Sequence, residues 1–89
     1  MKKRRTATKQ VRVSYDLLAR AQRRVLPLLA KRGLTWTADE CLEADQHGHC
    51  VESRGMIEGD EQQVRKFLTG AVGRTEARRL LRLRHPPRR

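Results

Sequence analysis

The chain has 89 residues, with 21 lysines and arginines against 10 aspartates and glutamates and a formal net charge of +11. At this length only about 60 to 65% of the unfolded surface can be buried, so one small core is expected, and a homodimer would enlarge it. There is no run of about 18 apolar residues and no signal-peptide pattern, which argues against a membrane partner and for a cytoplasmic setting; Cys41 and Cys50 are too few for a secreted disulfide scaffold and are expected to be reduced, small and half-buried.

Residues 1–5 (MKKRR) have nothing to bury and are expected to form a flexible basic arm, with residues 85–89 (HPPRR) as a matching tail beyond a single domain at 6–84. Over residues 6–14 the valines 11 and 13 alternate with Gln10, Arg12 and Ser14, the period of a strand with one buried face. Ser14 then suits a helix N-cap with Asp16 in the first turn. Steps of 100° place Leu17, Leu18, Ala21, Val25, Leu28 and Leu29 on one arc and Arg20, Arg23, Arg24 and Lys31 opposite. Pro27 predicts a kink, and Gly33 a C-terminal cap.

Residues 35–60 are acidic and read as a hairpin. Trp36, Ala38, Glu40, Leu42 and Ala44 lie on one side of the outgoing strand; Asp45-Gln46-His47-Gly48 supplies a turn; Val51, Ser53, Gly55 and Ile57 continue the apolar side on the return. Cys41 and Cys50 then share the more polar face, opposite or one diagonal step apart. Asp60 is a helix cap with Gln63 as its capping-box partner, followed by Val64, Phe67, Leu68, Ala71 and Val72 at helical spacing and a stop at Gly73. Residues 75–84 (TEARRLLRLR) fit helix by propensity and strand by a poor alternation; element order favours a closing strand.

Strand, helix, strand, strand, helix, strand is the split βαβ order of the ferredoxin-like fold, βαββαβ with an antiparallel sheet, an α+β class. In that fold the first and last strands are neighbours. The charge map, basic over 1–34, acidic over 35–63 and basic over 64–89, would then give one basic edge and one acidic edge. The candidate nucleic-acid contacts on the basic edge are Arg4, Arg5, Lys9, Arg12, Arg20, Arg23, Arg24, Arg78, Arg82 and Arg84, arginine being suited to bidentate phosphate contacts. Without sheet aromatics for base stacking, contact would be led by the phosphate backbone of DNA or RNA.

Two other readings compete. Glu40, Glu43 and Glu52 of the acidic hairpin could engage a charged protein partner, as in an inhibitor or adaptor of phage or plasmid type. Alternatively, a short strand bearing Gln10, Arg12 and Ser14, a helix, Gly33-Leu34-Thr35 and a second helix over 37–46, capped by Thr37 and Glu40, form an N-terminal half that resembles a ribbon-helix-helix repressor. That resemblance implies a dimer whose paired strands enter the major groove. Cys41, His47, His49 and Cys50 form a C-x5-H-x-H-C set of candidate zinc ligands, but the spacing matches neither a ribbon nor a finger. No phosphate-binding loop, nucleophile set or H-E-x-x-H occurs, so a non-enzymatic protein with no cofactor is expected.

Overall fold

In the computed structural model, which describes residues 9–85, Val11 and Val13 are 2% and 0% exposed and define β1 (Gln10–Ser14) as expected. The expected arms at 1–5 and 86–89 lie outside the described residues. The helix does not start after Ser14. Strand pairing resumes in β2 (Leu17–Leu18), and α1 (Ala19–Lys31) begins only there, with Leu18 as an N-cap that lends no side-chain hydrogen bond. Leu17 fits a period of two from Val13 through Tyr15 as well as a helical arc, and the sheet takes it, burying it to 4% exposure.

The inner face of α1 is narrower than the arc predicted. Leu29 is buried and Ala21 and Val25 are half-buried, but Leu18 and Leu28 remain exposed. Its end matches expectation. Gly33 takes φ 73°, its N–H bonds to the Ala30 carbonyl at 2.9 Å, and the Leu34 N–H reaches the Leu29 carbonyl at 2.9 Å. These are the paired bonds of a Schellman motif, and Leu29 and Leu34 both join the core as its hydrophobic contact.

The hairpin forms: β3 (Thr35–Ala44) and β4 (Cys50–Asp60) are antiparallel, joined by a turn in which Asp45 Oδ1 accepts from the backbone N–H groups of His47 and His49, each at 2.9 Å. A helix over 37–46 is therefore excluded, and the ribbon-helix-helix arrangement with it; the apolar stripe of Ala38 and Leu42 is too thin to bury a helix, whereas alternation buries Trp36 against Ile57. The central strand is β4. It pairs with β3 on one edge, and with β1 and β2 in one unbroken register from Gln10 opposite Asp60 to Leu18 opposite Glu52, interrupted only at Tyr15 and Asp16.

α2 (Glu61–Val72) starts as predicted, the Asp60 carboxylate accepting from the Gln63 N–H at 3.2 Å, and it buries Val64, Phe67 and Leu68. Residues 75–84 are not a closing strand. α3 (Arg74–Arg82) occupies them, because Ala77 and Leu81, four apart, bury together with Leu80 beside them, while no alternating set of the segment would present one apolar face. Only His85, expected in the flexible tail, reaches the outer edge of β1, donating its N–H to the Arg12 carbonyl at 2.8 Å. The result is an antiparallel four-strand sheet with three helices, an α+β domain in which the βαββαβ order is not completed among the described residues.

Candidate functional site

Moving the last element from strand to helix relocates the charge. Arg20, Arg23, Arg24 and Lys31 lie on α1, Arg65 and Lys66 on α2, and Arg74, Arg78, Arg79 and Arg82 on α3, against only Glu61 and Glu76. Both of those acids are engaged: Glu61 accepts from Arg84 at 3.0 Å and Arg65 at 3.2 Å, and Glu76 pairs with Arg79. The hairpin residues 35–60 carry the opposite sign, seven acids against Arg54 alone. The expected separation of charge is present, but between helical layer and hairpin rather than between two sheet edges.

The predicted basic edge comes apart residue by residue. Arg12 faces Glu58 directly across the ladder and binds it at 2.8 Å, half-buried. Arg84 is tied to Glu61 and, through Nε, to the Leu81 carbonyl at 2.8 Å. Lys9 is exposed, and its carbonyl accepts from the Glu61 N–H at 2.8 Å. These groups hold the β1 edge to the start of α2 and the end of α3. Arg4 and Arg5 lie outside the described residues. Arg20, Arg23, Arg24, Arg78 and Arg82 are exposed and, among the described residues, have no carboxylate within 4.0 Å.

Sequence reasoning missed Arg74, Arg65, Lys66, Lys31 and Arg32. The signal for the first was present: Arg74, Arg78 and Arg82 recur every four residues, one stripe on a helix. Arg74 and Arg78 meet Arg65 and Thr69 of α2 around a recess of about 180 Å³ floored by Ala77. On the other side of α2, an open cleft of about 510 Å³ separates it from α1, with Tyr15, Val25, Leu28 and Phe67 in its wall and Lys31, Arg32 and Lys66 at its rim. Consecutive residues of α2 therefore serve different sites, Arg65 the recess and Lys66 the cleft. Tyr15 packs edge-on against Phe67 at 5.5 Å, and burial raises its hydroxyl pKa, so it stays a neutral donor.

The hairpin carries Asp39, Glu40, Glu43 and Glu52 with no ion pair within 4.0 Å among the described residues. Cys41 and Cys50 are not reduced thiols as expected: they form a disulfide across the two strands, their Cα atoms 5.9 Å apart, although the ladder sets Cys41 opposite Ser53 and Cys50 opposite Ala44, with irregularities on both sides of Glu43 between them. That bond removes both thiolates from the C-x5-H-x-H-C set, and no three ligating side chains converge among the described residues. No described helix is long and apolar enough to cross a membrane. Compared with known proteins, the chain matches no family model, no curated protein and no solved structure.

Proposed function

We propose that this is a non-enzymatic binding protein whose helical layer engages the phosphate backbone of a nucleic acid. The observation that carries the reading is the convergence of Arg65, Arg74 and Arg78, with the Thr69 hydroxyl, around one small recess on a layer whose only two carboxylates are already paired. Arg74 and Arg78, with Thr69 and with Arg65, which also binds Glu61, offer donors to a phosphate oxygen cluster, and Arg82 and the α1 arginines extend the cationic surface for neighbouring phosphates. Tyr15, Trp36 and Phe67 are each at least half-buried and none lines the Arg65, Arg74 and Arg78 recess, so contact there is with the backbone and depends weakly on sequence.

Anisotropy titration of labelled duplex and single-stranded oligonucleotides between 50 and 200 mM salt tests this. Binding should weaken steeply with salt, and Arg74→Ala with Arg78→Ala should lower the logarithmic salt slope by about two on duplex DNA, roughly 0.9 per lost phosphate contact. Affinity without a salt slope, or an unchanged slope in the double variant, rejects the reading.

A second reading rests on the hairpin. Glu43 and Glu52 occupy opposite positions in the ladder beside a disulfide, which sets one carboxylate on an edge strand exposed along nearly its whole length next to another on the central strand. Such a surface suits a cationic protein partner. Replacing Glu40, Glu43 and Glu52 with glutamine should abolish capture of a basic protein such as a histone-like probe while sparing oligonucleotide affinity; equal capture by the variant removes it.

A further inference from the structure

The cleft between α1 and α2 is left unused by the phosphate contacts. Its apolar lining comes from buried Phe67, half-buried Tyr15 and Val25 and the exposed Leu28, while the exposed Lys31, Arg32 and Lys66 form its rim, with no acid in the lining. At about 510 Å³ it lies in the range of ligand sites, roughly 300 to 1,000 Å³, with four large apolar side chains and three cations in its lining. Arg32 crosses one part of the rim to hydrogen-bond the Gln63 side chain at 3.4 Å, linking the C-terminal end of α1 to α2.

Gly70 contributes to the opening. It stands inside α2 on the cleft lining, where glycine weakens a helix relative to alanine. It has no positive φ, and a Cβ built on it would meet nothing within 4 Å among the described residues, so neither backbone conformation nor close packing against them calls for glycine there. What its missing side chain does is keep the α2 wall of the cleft low, beside the small Ala71.

We infer that this cleft binds an amphiphilic anion, a molecule with an apolar body that lies against Tyr15, Val25 and Phe67 and one terminal carboxylate or phosphate held at the Lys31, Arg32 and Lys66 rim. Charge complementarity selects the sign of the head group, and the apolar walls select a hydrocarbon or aromatic body rather than a polar one. The site is distinct from the Arg65, Arg74 and Arg78 recess, and the inference stands whether or not nucleic acid binds there.

Calorimetry and amide chemical-shift mapping on the full chain, with decanoate, decyl phosphate and decyltrimethylammonium each below its micelle concentration, decide it. One or both anions should bind saturably at one site, with shifts centred on Val25, Gly70 and Ala71, and the tighter of the two identifies the head group. The cation should bind at least tenfold more weakly. Gly70→Leu should lose at least tenfold in affinity while keeping its circular dichroism and melting at or above the parent temperature, and Lys31→Glu with Lys66→Glu should weaken both anions by a similar factor. Equal binding of the cation, full affinity in Gly70→Leu, or no saturable binding of either anion overturns the inference. Shifts at the same residues produced only by an acidic peptide bearing leucine between glutamates also overturn it, and make the cleft a peptide groove.

Discussion

Glu43 of β3 stands directly opposite Glu52 of β4, two carboxylates facing each other across an antiparallel ladder. Like charges in that position are unfavourable, and the strand is irregular on both sides of the pair, between Cys41 and Glu43 and between Glu43 and Ala44. Bulges there add local twist to a strand that, among the described residues, pairs only with β4, a feature that hinders another chain from adding to it. The Cys41–Cys50 disulfide closes the same region. Local geometry that repels is thus held by a covalent link.

Reversing one of the two charges should relieve the repulsion. Glu52→Lys is expected to stabilise the oxidised protein by about 0.2 to 1 kcal/mol, the range of a cross-strand charge pair, and Glu43→Lys together with Glu52→Lys should return it to near the parent. Urea midpoints of the parent, both single variants and the double variant give the coupling. A single variant no more stable than the parent means the two carboxylates are too well solvated to interact.

Removing the disulfide should loosen one end of the hairpin and leave the core. The bond joins residues nine apart, so its effect on the unfolded chain is at most about 3 kcal/mol. In Cys41→Ser with Cys50→Ser, amide exchange over residues 41–52 should rise toward loop rates, while Met56, Ile57 and Glu58, paired on both sides by β1 and β3, keep their protection. Protection lost equally along β4 would mean that the hairpin folds as one unit with the core.

Gly55 leaves room for the Trp36 ring across the ladder. A Cβ at Gly55 would run into the Trp36 ring and the Thr37 carbonyl, and the ring is further fixed by its Nε1 donating to the Tyr15 carbonyl at 2.8 Å. Gly55→Ala should therefore cost about 1 to 3 kcal/mol, as overpacking does, and move the single tryptophan's emission toward that of an exposed indole. Gly70→Ala, a glycine with open space around it, serves as the control and should be neutral or stabilising.

The parts of this fold legible in the sequence were those where one periodicity had no competitor. Val11 and Val13 and the Asp60 cap each admitted a single reading, and each is found; the Asp45 turn had a helix over 37–46 as its competitor and is found as well. Leu17 and Leu18 satisfied both a strand and a helix, and the choice was made by β4, a partner more than thirty residues away, through the Leu17 to Ser53 pairing. Residues 75–84 failed for a related reason: arginines fill so much of the segment that only Ala77, Leu80 and Leu81 report its buried face. The candidate site followed that error. With the segment as a strand, Arg78, Arg82 and Arg84 belonged to a sheet edge; as a helix, Arg78 and Arg82 align with Arg74 while Arg84 turns to Glu61. The disulfide was not legible: irregularities on both sides of Glu43 set Cys41 opposite Ser53, so the cysteines are neither directly opposite nor one diagonal step apart in the ladder.

Glu61 makes the stability depend on pH in a stated direction. The hydrogen bond from Arg84, followed by the charges of Arg84, Lys9 and Arg65, lowers its carboxyl below the ordinary value of 4.5 despite partial desolvation. The folded state therefore binds the proton less readily than the unfolded chain. Its contribution is complete above the ordinary carboxylate range and is lost as pH falls through the lowered folded value. Because Glu61 opens α2 and Arg84 follows α3, protonation releases the contact that joins those two segments. Urea midpoints from pH 7 down to pH 3 should fall more steeply for the parent than for Glu61→Gln, and Arg84→Gln should bring the Glu61 carboxyl, followed by carbon NMR, back toward its ordinary titration. Parallel pH profiles for parent and Glu61→Gln would show that the Glu61–Arg84 pair holds nothing together.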